Sequence, residues 1–319
     1  MGRTFLVTGA AGFIGANLCR RLLADGEAVH GIVRPDSDLW RLDGLQGAVP
    51  LHRVDITSPG AVAEAFAAIG PQVVYHLATH GAYPFQRDMA QIVLSNVSGM
   101  VNVATACAST GVELLVNTGS SSEYGRKSRP MREEDTLEPD SYYAVSKCAQ
   151  TMLCQTLARQ TGLPVVTLRL FSVYGPYEEP SRLVPTIVLR ALRAEALEMA
   201  APNTARDFVH VDDVVDAYLR VESLMAHAGE VINIGTGVQN SLQDVVDALA
   251  DAMGRPVEAR WGEMAARPWD TSTWVADVSK ANRLLGWRPR LDLSSGIGHC
   301  IEWFRDHVDL YADRARVRC

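Results

Sequence analysis

A glycine-rich turn directly after the first apolar run constrains this chain more than any other feature. The run is Phe5-Leu6-Val7, the turn is Thr8-Gly9-Ala10-Ala11-Gly12-Phe13-Ile14-Gly15, and Leu18, Leu22 and Leu23 follow at helical spacing. Strand, tight turn and helix together cradle a pyrophosphate. Gly9 lets the chain turn, Gly12 lets the backbone approach a phosphate, and Gly15 lets the helix pack on the strand. The helix start adds free N–H groups and the positive end of its dipole. The pattern predicts a bound dinucleotide and leaves open what chemistry that dinucleotide performs.

The rest of the first half repeats the alternation. Short β runs at Thr4–Thr8, Ala28–Val33, Pro50–Val54, Val73–Leu77, Leu114–Thr118 and Val165–Leu170 are separated by helix-like runs at Ile14–Ala24, Ala61–Ala68, Asn96–Ser109 and Tyr143–Gln160. Apolar strands bounded by helices predict a parallel sheet covered on both faces, with ligands at the carboxyl ends of its strands. After Tyr174-Gly175-Pro176 the rhythm breaks. Pro176, Pro180 and Pro185 punctuate a loop before a helix at Ile187–Ala196, a strand at Val231–Ile234 follows, and helices are expected at Leu242–Met253 and Gly296–Asp306. The expected division is a dinucleotide-binding domain over residues 1–173 with parts of about 207–235. Residues 174–206 and 236–319 form a smaller α/β substrate domain over the carboxyl edge.

Composition narrows the partners. The 319 residues are 47% hydrophobic, ample for a sizeable core, and the net charge of −7 comes without a basic tract, so nucleic acid is not an expected partner. A run of 18 apolar residues is absent, so neither a membrane span nor a signal peptide is expected. Six scattered cysteines, with no CxxC pair, suit free thiols in a cytoplasmic protein. No His/Cys/carboxylate set has metal-ligand spacing.

Tyr143 and Lys147 stand four residues apart, on one helix face. An ammonium beside a phenol favours phenolate and lowers a pKa that starts near about 10, making Tyr143 an acid or base near neutrality. Ser120-Ser121-Ser122-Glu123-Tyr124-Gly125 follows the Leu114–Thr118 strand and puts serine hydroxyls at its carboxyl end.

Together the glycine turn, the serine turn and the Tyr143/Lys147 pair resemble the extended short-chain dehydrogenase/reductase family. Within it they resemble the NAD(P)-dependent nucleotide-sugar epimerase/dehydratase/reductase branch, over nearly the whole chain. The resemblance implies a Rossmann-type doubly wound sheet. Asp55-Ile56 matches the adenine contact, and His76-Leu77-Ala78-Thr79 the segment beneath the cofactor. Asn96-Val97-Ser98-Gly99 matches a structural asparagine, and Leu168–Pro176 the strand and loop beyond the nicotinamide, with Phe171 and Val173 near the cofactor. Arg206-Asp207-Phe208-Val209-His210-Val211-Asp212-Asp213 matches an RDFVHVDD segment, and Leu284-Leu285-Gly286-Trp287 a C-terminal packing signature. The implied chemistry is hydride transfer between a sugar carbon and the nicotinamide. Tyr143 would exchange the proton on the sugar oxygen, Ser120 would bond that oxygen, and Lys147 would hold the nicotinamide ribose. An adjacent acid and hydroxyl do suit an oxygen that gains negative charge.

The partner implied is a nucleotide-diphosphate sugar. Arg206 and Arg267 are placed on its phosphates, where guanidinium forks fit, and Asp270 on its ribose. Thr79, Ser121 and Ser122 are expected beside the sugar, with His80 a weaker candidate there. Trp274 is either a wall of that pocket or core, and His210 is read as structural. A homodimer through helices at Asn96–Ser109 and Tyr143–Gln160 is the family's common assembly.

Cofactor and reaction remain alternatives. The second strand ends in Val33 and Arg34 rather than a carboxylate, so Arg34 predicts NADP, with NAD possible if Asp36 or Asp38 binds the ribose. The stretch also resembles a segment of NADP-using GDP-mannose dehydratases. Family dehydratases carry acid/base carboxylates immediately after the catalytic hydroxyl, where this chain has Ser121 and Ser122. Glu123 is one residue late, and such a shift reverses side-chain direction. Ser172, where many epimerases have asparagine, also counts against epimerisation. The leading expectation is an NDP-4-keto-6-deoxyhexose 4-ketoreductase of deoxysugar biosynthesis, then a UDP- or GDP-sugar 4-epimerase, then a 4,6-dehydratase. A non-catalytic dinucleotide sensor is the reading from a different class.

Overall fold

The computed structural model describes residues 2–45, 47–83, 85–264 and 271–312. Strands β1 (Thr4–Thr8), β2 (Ala28–Val33), β3 (Leu51–Arg53), β4 (Val73–His76), β5 (Leu114–Ser120) and β6 (Val165–Leu170) join a strand at Val231–Ile234 in a seven-stranded, all-parallel sheet. The order across it is Val231–Ile234, β6, β5, β4, β1, β2, β3. The chain winds outward through β2 and β3, then returns to begin β4 on the other side of β1. The switch point therefore lies between β1 and β4, where a crevice opens at the strands' carboxyl ends. Runs such as Leu6-Val7 and Val73-Val74-Tyr75 are fully buried, as a sheet covered on both faces demands. This is the covered parallel sheet that the alternation predicts and the Rossmann-type α/β architecture that the resemblance implies.

Helices α1 (Phe13–Ala24), α2 (Pro59–Ile69), α3 (Met89–Val93), α4 (Gly99–Thr110) and α5 (Tyr142–Thr161) cover the sheet. Leu18, Cys19 and Leu22 of α1 pack on one face with Val7, Tyr75 and Tyr218. Phe66, Met100, Val103, Cys107 and Cys154 pack on the other with Leu6, Val74 and Leu115. The five described cysteines are buried, free thiols.

Two helices differ from expectation. In place of one helix over Asn96–Ser109, α3 and α4 flank a π turn at Leu94–Ser98, and the run starts early because Asp88 caps the Gln91 N–H at 3.1 Å. The extra residue in that turn carries Asn96 inward. By length and composition Met89–Thr110 could cross a membrane, but one of its faces is part of the core beneath the sheet. The helix expected at Ile187–Ala196 is α6 (Leu183–Leu192), which includes Pro185 in its first turn, where a missing N–H leaves no bond unmade.

A second core gathers Val188 and Leu189 of α6, Val245 and Leu249 of the Leu242–Met253 helix, and Ile297 and Phe304 of the Leu293–Asp306 helix. Strand β7 (Ser172–Tyr174), which pairs with Phe208–His210, leads into the loop that joins the two cores. Asn17 Nδ2 donates to Pro176 O at 2.9 Å, Arg41 Nε to Tyr177 O at 2.7 Å, and Tyr311 Oη to Glu178 O at 2.9 Å. Arg41 also forms a buried ion pair with Glu179 at 3.0 Å.

Glu178 lies buried in this loop, with no partner for Oε2 among the described residues, and burial pushes its carboxyl up to about 8. The folded protein thus holds a proton that the unfolded chain releases near the ordinary carboxyl value. Stability from this group is full below about 4.5 and lost as pH rises through about 8. Glu178→Gln should therefore leave thermal stability near pH 5 almost unchanged and raise it at pH 8 by an amount on the order of 2 kcal/mol. A variant no more stable than the parent at pH 8 would contradict a neutral, buried Glu178.

Candidate active site

The turn after β1 is shaped for a phosphate. Gly9 has φ +72°, and a side chain there would press on the backbone of Ala78 at 2.7–2.9 Å. A Cβ on Gly15 would run into the Gly9 carbonyl. Helix α1 begins at Phe13 with Gly12 as its cap, without a side-chain cap bond and without an acidic residue in its first turn. Its leading N–H groups and dipole are left for an anion, which fits a dinucleotide pyrophosphate. Ile14 and Phe13 pack partly buried beneath the turn. Thr8 Oγ1 bonds His76 Nδ1 at 2.8 Å and accepts the Ala78 N–H at 3.3 Å, so Leu77 and Ala78 lie along the same crevice and Thr79 emerges exposed beyond them.

Other expected cofactor contacts are placed differently. Asn96 is fully buried, donating to His80 O and Ser146 Oγ, both at 2.8 Å, and accepting the His80 N–H at 2.7 Å. Its polar groups are occupied, so it holds the Thr79–Gly81 segment rather than facing a ligand. Ile56 is buried against Gly99 of α4, and the exposed Asp55 accepts the Thr57 N–H at 2.9 Å. The Phe171 ring is buried 6.5 Å from the Tyr124 ring, while Val173 is half-buried. Arg34 is exposed at the end of β2, with Nε 3.6 Å from Asp36 Oδ1.

Ser120, Tyr143 and Lys147 converge at the carboxyl edge of β5. Ser141 caps α5 by accepting the Ala144 N–H, which places Tyr143 in the first turn and Lys147 one turn later. Lys147 is buried, donates to Thr118 O at 3.0 Å and lies 5.8 Å from the centre of the Tyr143 ring. The expected lowering of the phenol is not what the protein alone displays. Burial pushes Tyr143 up to about 12, opposed by the Ser120 hydroxyl and by Arg182. Burial also brings Lys147 down to about 8, and its ammonium donates to Thr118 O. The opposing cation is thus Arg182, which sequence reasoning missed. It donates to Ala82 O at 3.3 Å and lies 5.4 Å over the Tyr83 ring, facing Tyr143 from the start of α6. No spacing signals this contact, because it joins two loops a hundred residues apart.

The serine turn is held from both sides. Ser120 Oγ donates to Ser122 Oγ at 3.0 Å and accepts the Ser122 N–H at 3.2 Å. Ser121 is buried and accepts Trp274 Nε1–H at 3.0 Å, so its hydroxyl is engaged by the protein instead of lining the sugar site freely. Trp274 is itself buried, with the Arg206 guanidinium 5.4 Å above its ring. Arg267 and Asp270 lie outside the described residues. His210 caps the helix α7 (Val211–Tyr218) and Trp287 Nε1 donates to Asp213 O at 3.0 Å, both structural contacts.

Glu123 faces inward, not toward the crevice. Its carboxylate has no exposed surface and takes three donors: Ser120 N at 2.8 Å, Thr151 Oγ1 at 2.8 Å and Arg169 Nη2 at 2.7 Å. A carboxylate so engaged has no path for proton exchange with a sugar. Arg169 sits in a fully buried strand, and removing either partner of such a pair typically costs about 3–5 kcal/mol.

The family model described as the NAD dependent epimerase/dehydratase family matches residues 5–235. The chain belongs to that family of short-chain dehydrogenases/reductases. It is 34% identical to the UDP-glucose 4-epimerase of Mycolicibacterium smegmatis, over 94% of this chain and 98% of that one. Among solved structures, the UDP-glucose 4-epimerase of Thermotoga maritima with UDP-glucose superposes with a TM-score of 0.87 at 26% identity, covering 96% and 99% of the two chains. The UDP-glucuronic acid 4-epimerase of Bacillus cereus, in complex with UDP-glucuronic acid and NAD, gives 0.83 at 28% identity, covering 95% and 99%. The relatives of this family member thus include 4-epimerases of UDP-glucose and UDP-glucuronic acid, one of them solved with NAD.

Replacing Tyr143 by Phe removes the hydroxyl and keeps the ring. Turnover should fall about 10²–10⁴-fold, while NADH affinity, read by fluorescence titration, changes less than about threefold. Parallel loss of both would make Tyr143 a packing residue only.

Proposed function

We propose that this protein is a nucleotide-sugar 4-epimerase acting on a UDP-hexose or UDP-hexuronate. The observation that carries the reading is the full-length similarity to the UDP-glucose 4-epimerase of M. smegmatis, at 34% identity. This replaces the 4-ketoreductase as the leading reading. The inward-facing Glu123 weighs against 4,6-dehydration, which needs a carboxylate at the sugar.

The nicotinamide dinucleotide, when bound, supplies a reversible hydride acceptor. Tyr143, whose phenol Ser120 and Arg182 pull toward ionisation, would take the proton from the sugar 4-hydroxyl as the C4–H bond breaks. Ser120 donates a hydrogen bond to the oxygen on which charge changes, and Lys147 reaches the cofactor ribose. The 4-keto sugar would then turn, Tyr143 would return the proton to O4, and the C4–H bond would re-form on the opposite face. The reaction is redox-neutral overall. Arg206 beside Trp274 is suited to the substrate's diphosphate. We assign the cofactor as NAD, with NADP also accepted because exposed Arg34 can meet a 2′-phosphate.

The purified protein, given UDP-glucose or UDP-glucuronate without added reductant, should interconvert the sugar with its 4-epimer. Stoichiometric NADPH consumption with a 4-keto-6-deoxy nucleotide sugar, and no interconversion, would restore the ketoreductase. Arg34→Ala should weaken NADP at least tenfold, about 1.4 kcal/mol, and NAD less than threefold. A wild-type preference for NAD above tenfold would remove Arg34 from this role.

A homodimer is the assembly we propose. Val93, Leu94 and Val101 of the Met89–Thr110 run are exposed, as are Val145, Met152 and Leu153 of α5, which packs beside it. An apolar face of this kind suits a second copy. Light scattering should give twice 34.7 kDa, and Val145→Asp with Leu153→Glu should give a monomer. A wild-type monomer at micromolar concentration would contradict the dimer.

A further inference from the structure

Resting on the epimerase reading, we propose that Glu123 is a positioning residue. Through its bond to the Ser120 backbone N–H, its carboxylate sets the direction of the Ser120 hydroxyl. Arg169 and Thr151 in turn hold that carboxylate.

Glu123 Oε1 accepts from Ser120 N at 2.8 Å, closing a reciprocal cap in which the Ser120 hydroxyl accepts from the short helix that contains Glu123. Its other oxygen, Oε2, accepts from Thr151 on α5 and from Arg169 on β6. One carboxylate therefore ties together the end of β5, which carries Ser120, the helix that carries Tyr143 and Lys147, and the strand leading to Phe171 and Ser172. Thr151 stands one turn beyond Lys147 on the same helix. Ser122 meets the Ser120 hydroxyl directly, and Glu123 fixes the backbone that carries it. Ser122 is itself part of that turn, and Ser121 is tied to Trp274.

The support is rigid. Arg169 is fully buried, its guanidinium stacked 4.4 Å from the Tyr124 ring, and Tyr124 Oη donates to Asn233 Oδ1 at 2.7 Å. Asn233 belongs to the edge strand Val231–Ile234, so the chain of contacts reaches the rim of the sheet. A hydroxyl displaced by even an ångström loses its bond to an oxygen whose charge changes during hydride transfer.

The test is a double-mutant cycle with Ser120→Ala, run on the intact protein. Glu123→Gln should lower kcat about 30- to 100-fold while KM for the UDP-sugar and NADH affinity each change less than threefold. Added to Ser120→Ala, it should lower kcat less than a further threefold, because both changes remove the same aligned hydroxyl. Amide exchange at Ser120 should speed up at least tenfold in Glu123→Gln whatever reaction the enzyme performs. A failed epimerase assay would thus leave this readout intact. Thr151→Val, which removes one donor and keeps the ion pair, covers the case in which Glu123→Gln does not fold; it should lower kcat about three- to tenfold. Multiplicative losses in the cycle would overturn the proposal. So would unchanged Ser120 exchange, or a Thr151→Val enzyme with unaltered kcat.

Discussion

The site depends first on the passage of backbone against backbone at the turn after β1. Gly9 lies on Ala78 and Gly15 on the Gly9 carbonyl, with room for no side chain at either place. That contact presses the start of α1 against the central strand and brings the end of β4 alongside. It leaves the first N–H groups of α1 uncapped at the switch point of the sheet. The dinucleotide cradle and the crevice beside it follow from this packing. The β5 edge then stands one strand away, across β4, where the serine turn and α5 deliver Ser120, Tyr143 and Lys147.

Electrostatics sorts the groups that line or underlie this crevice. Burial disfavours ionisation of Tyr143 and charge on Lys147, moving their pKa values to about 12 and about 8. Ser120 and Arg182 pull the phenol the other way. The one carboxylate next to the serines is held by a guanidinium, a hydroxyl and an amide. What remains for a sugar is a phenol, a hydroxyl and nearby cations, a set suited to moving a proton and a hydride at one carbon. Among the described residues, Glu123 is the carboxylate next to the serines, and it faces inward.

Much of this was legible in the chain. The strands Thr4–Thr8, Ala28–Val33, Val165–Leu170 and Val231–Ile234 read directly from apolar runs between turn signals, because buried parallel strands are nearly continuous in hydrophobicity. The π turn around Asn96 was not, since an extra residue in a helix leaves the apolar pattern almost unchanged. Pro185 points the other way: it suggests loop punctuation, yet it sits in the first turn of α6, which tolerates it. The spacing of Tyr143 and Lys147 predicted one helix face, but not that Thr118 would engage the ammonium. Arg182 and the Ser121–Trp274 bond depend on loops meeting in space. The Glu123–Arg169 pair had a faint signal: an arginine within Val165–Leu170, an otherwise apolar strand, calls for a buried anion nearby.

The central claim is that hydride leaves C4 of a nucleotide sugar and returns to the same carbon. It is tested most directly with a UDP-hexose deuterated at C4, incubated with the protein in ordinary water and followed by NMR. Deuterium should be found at C4 of both epimers at equilibrium, with none lost to solvent. Deuterium appearing at C6 of a 4-keto-6-deoxy product, or no second epimer at all, would contradict it.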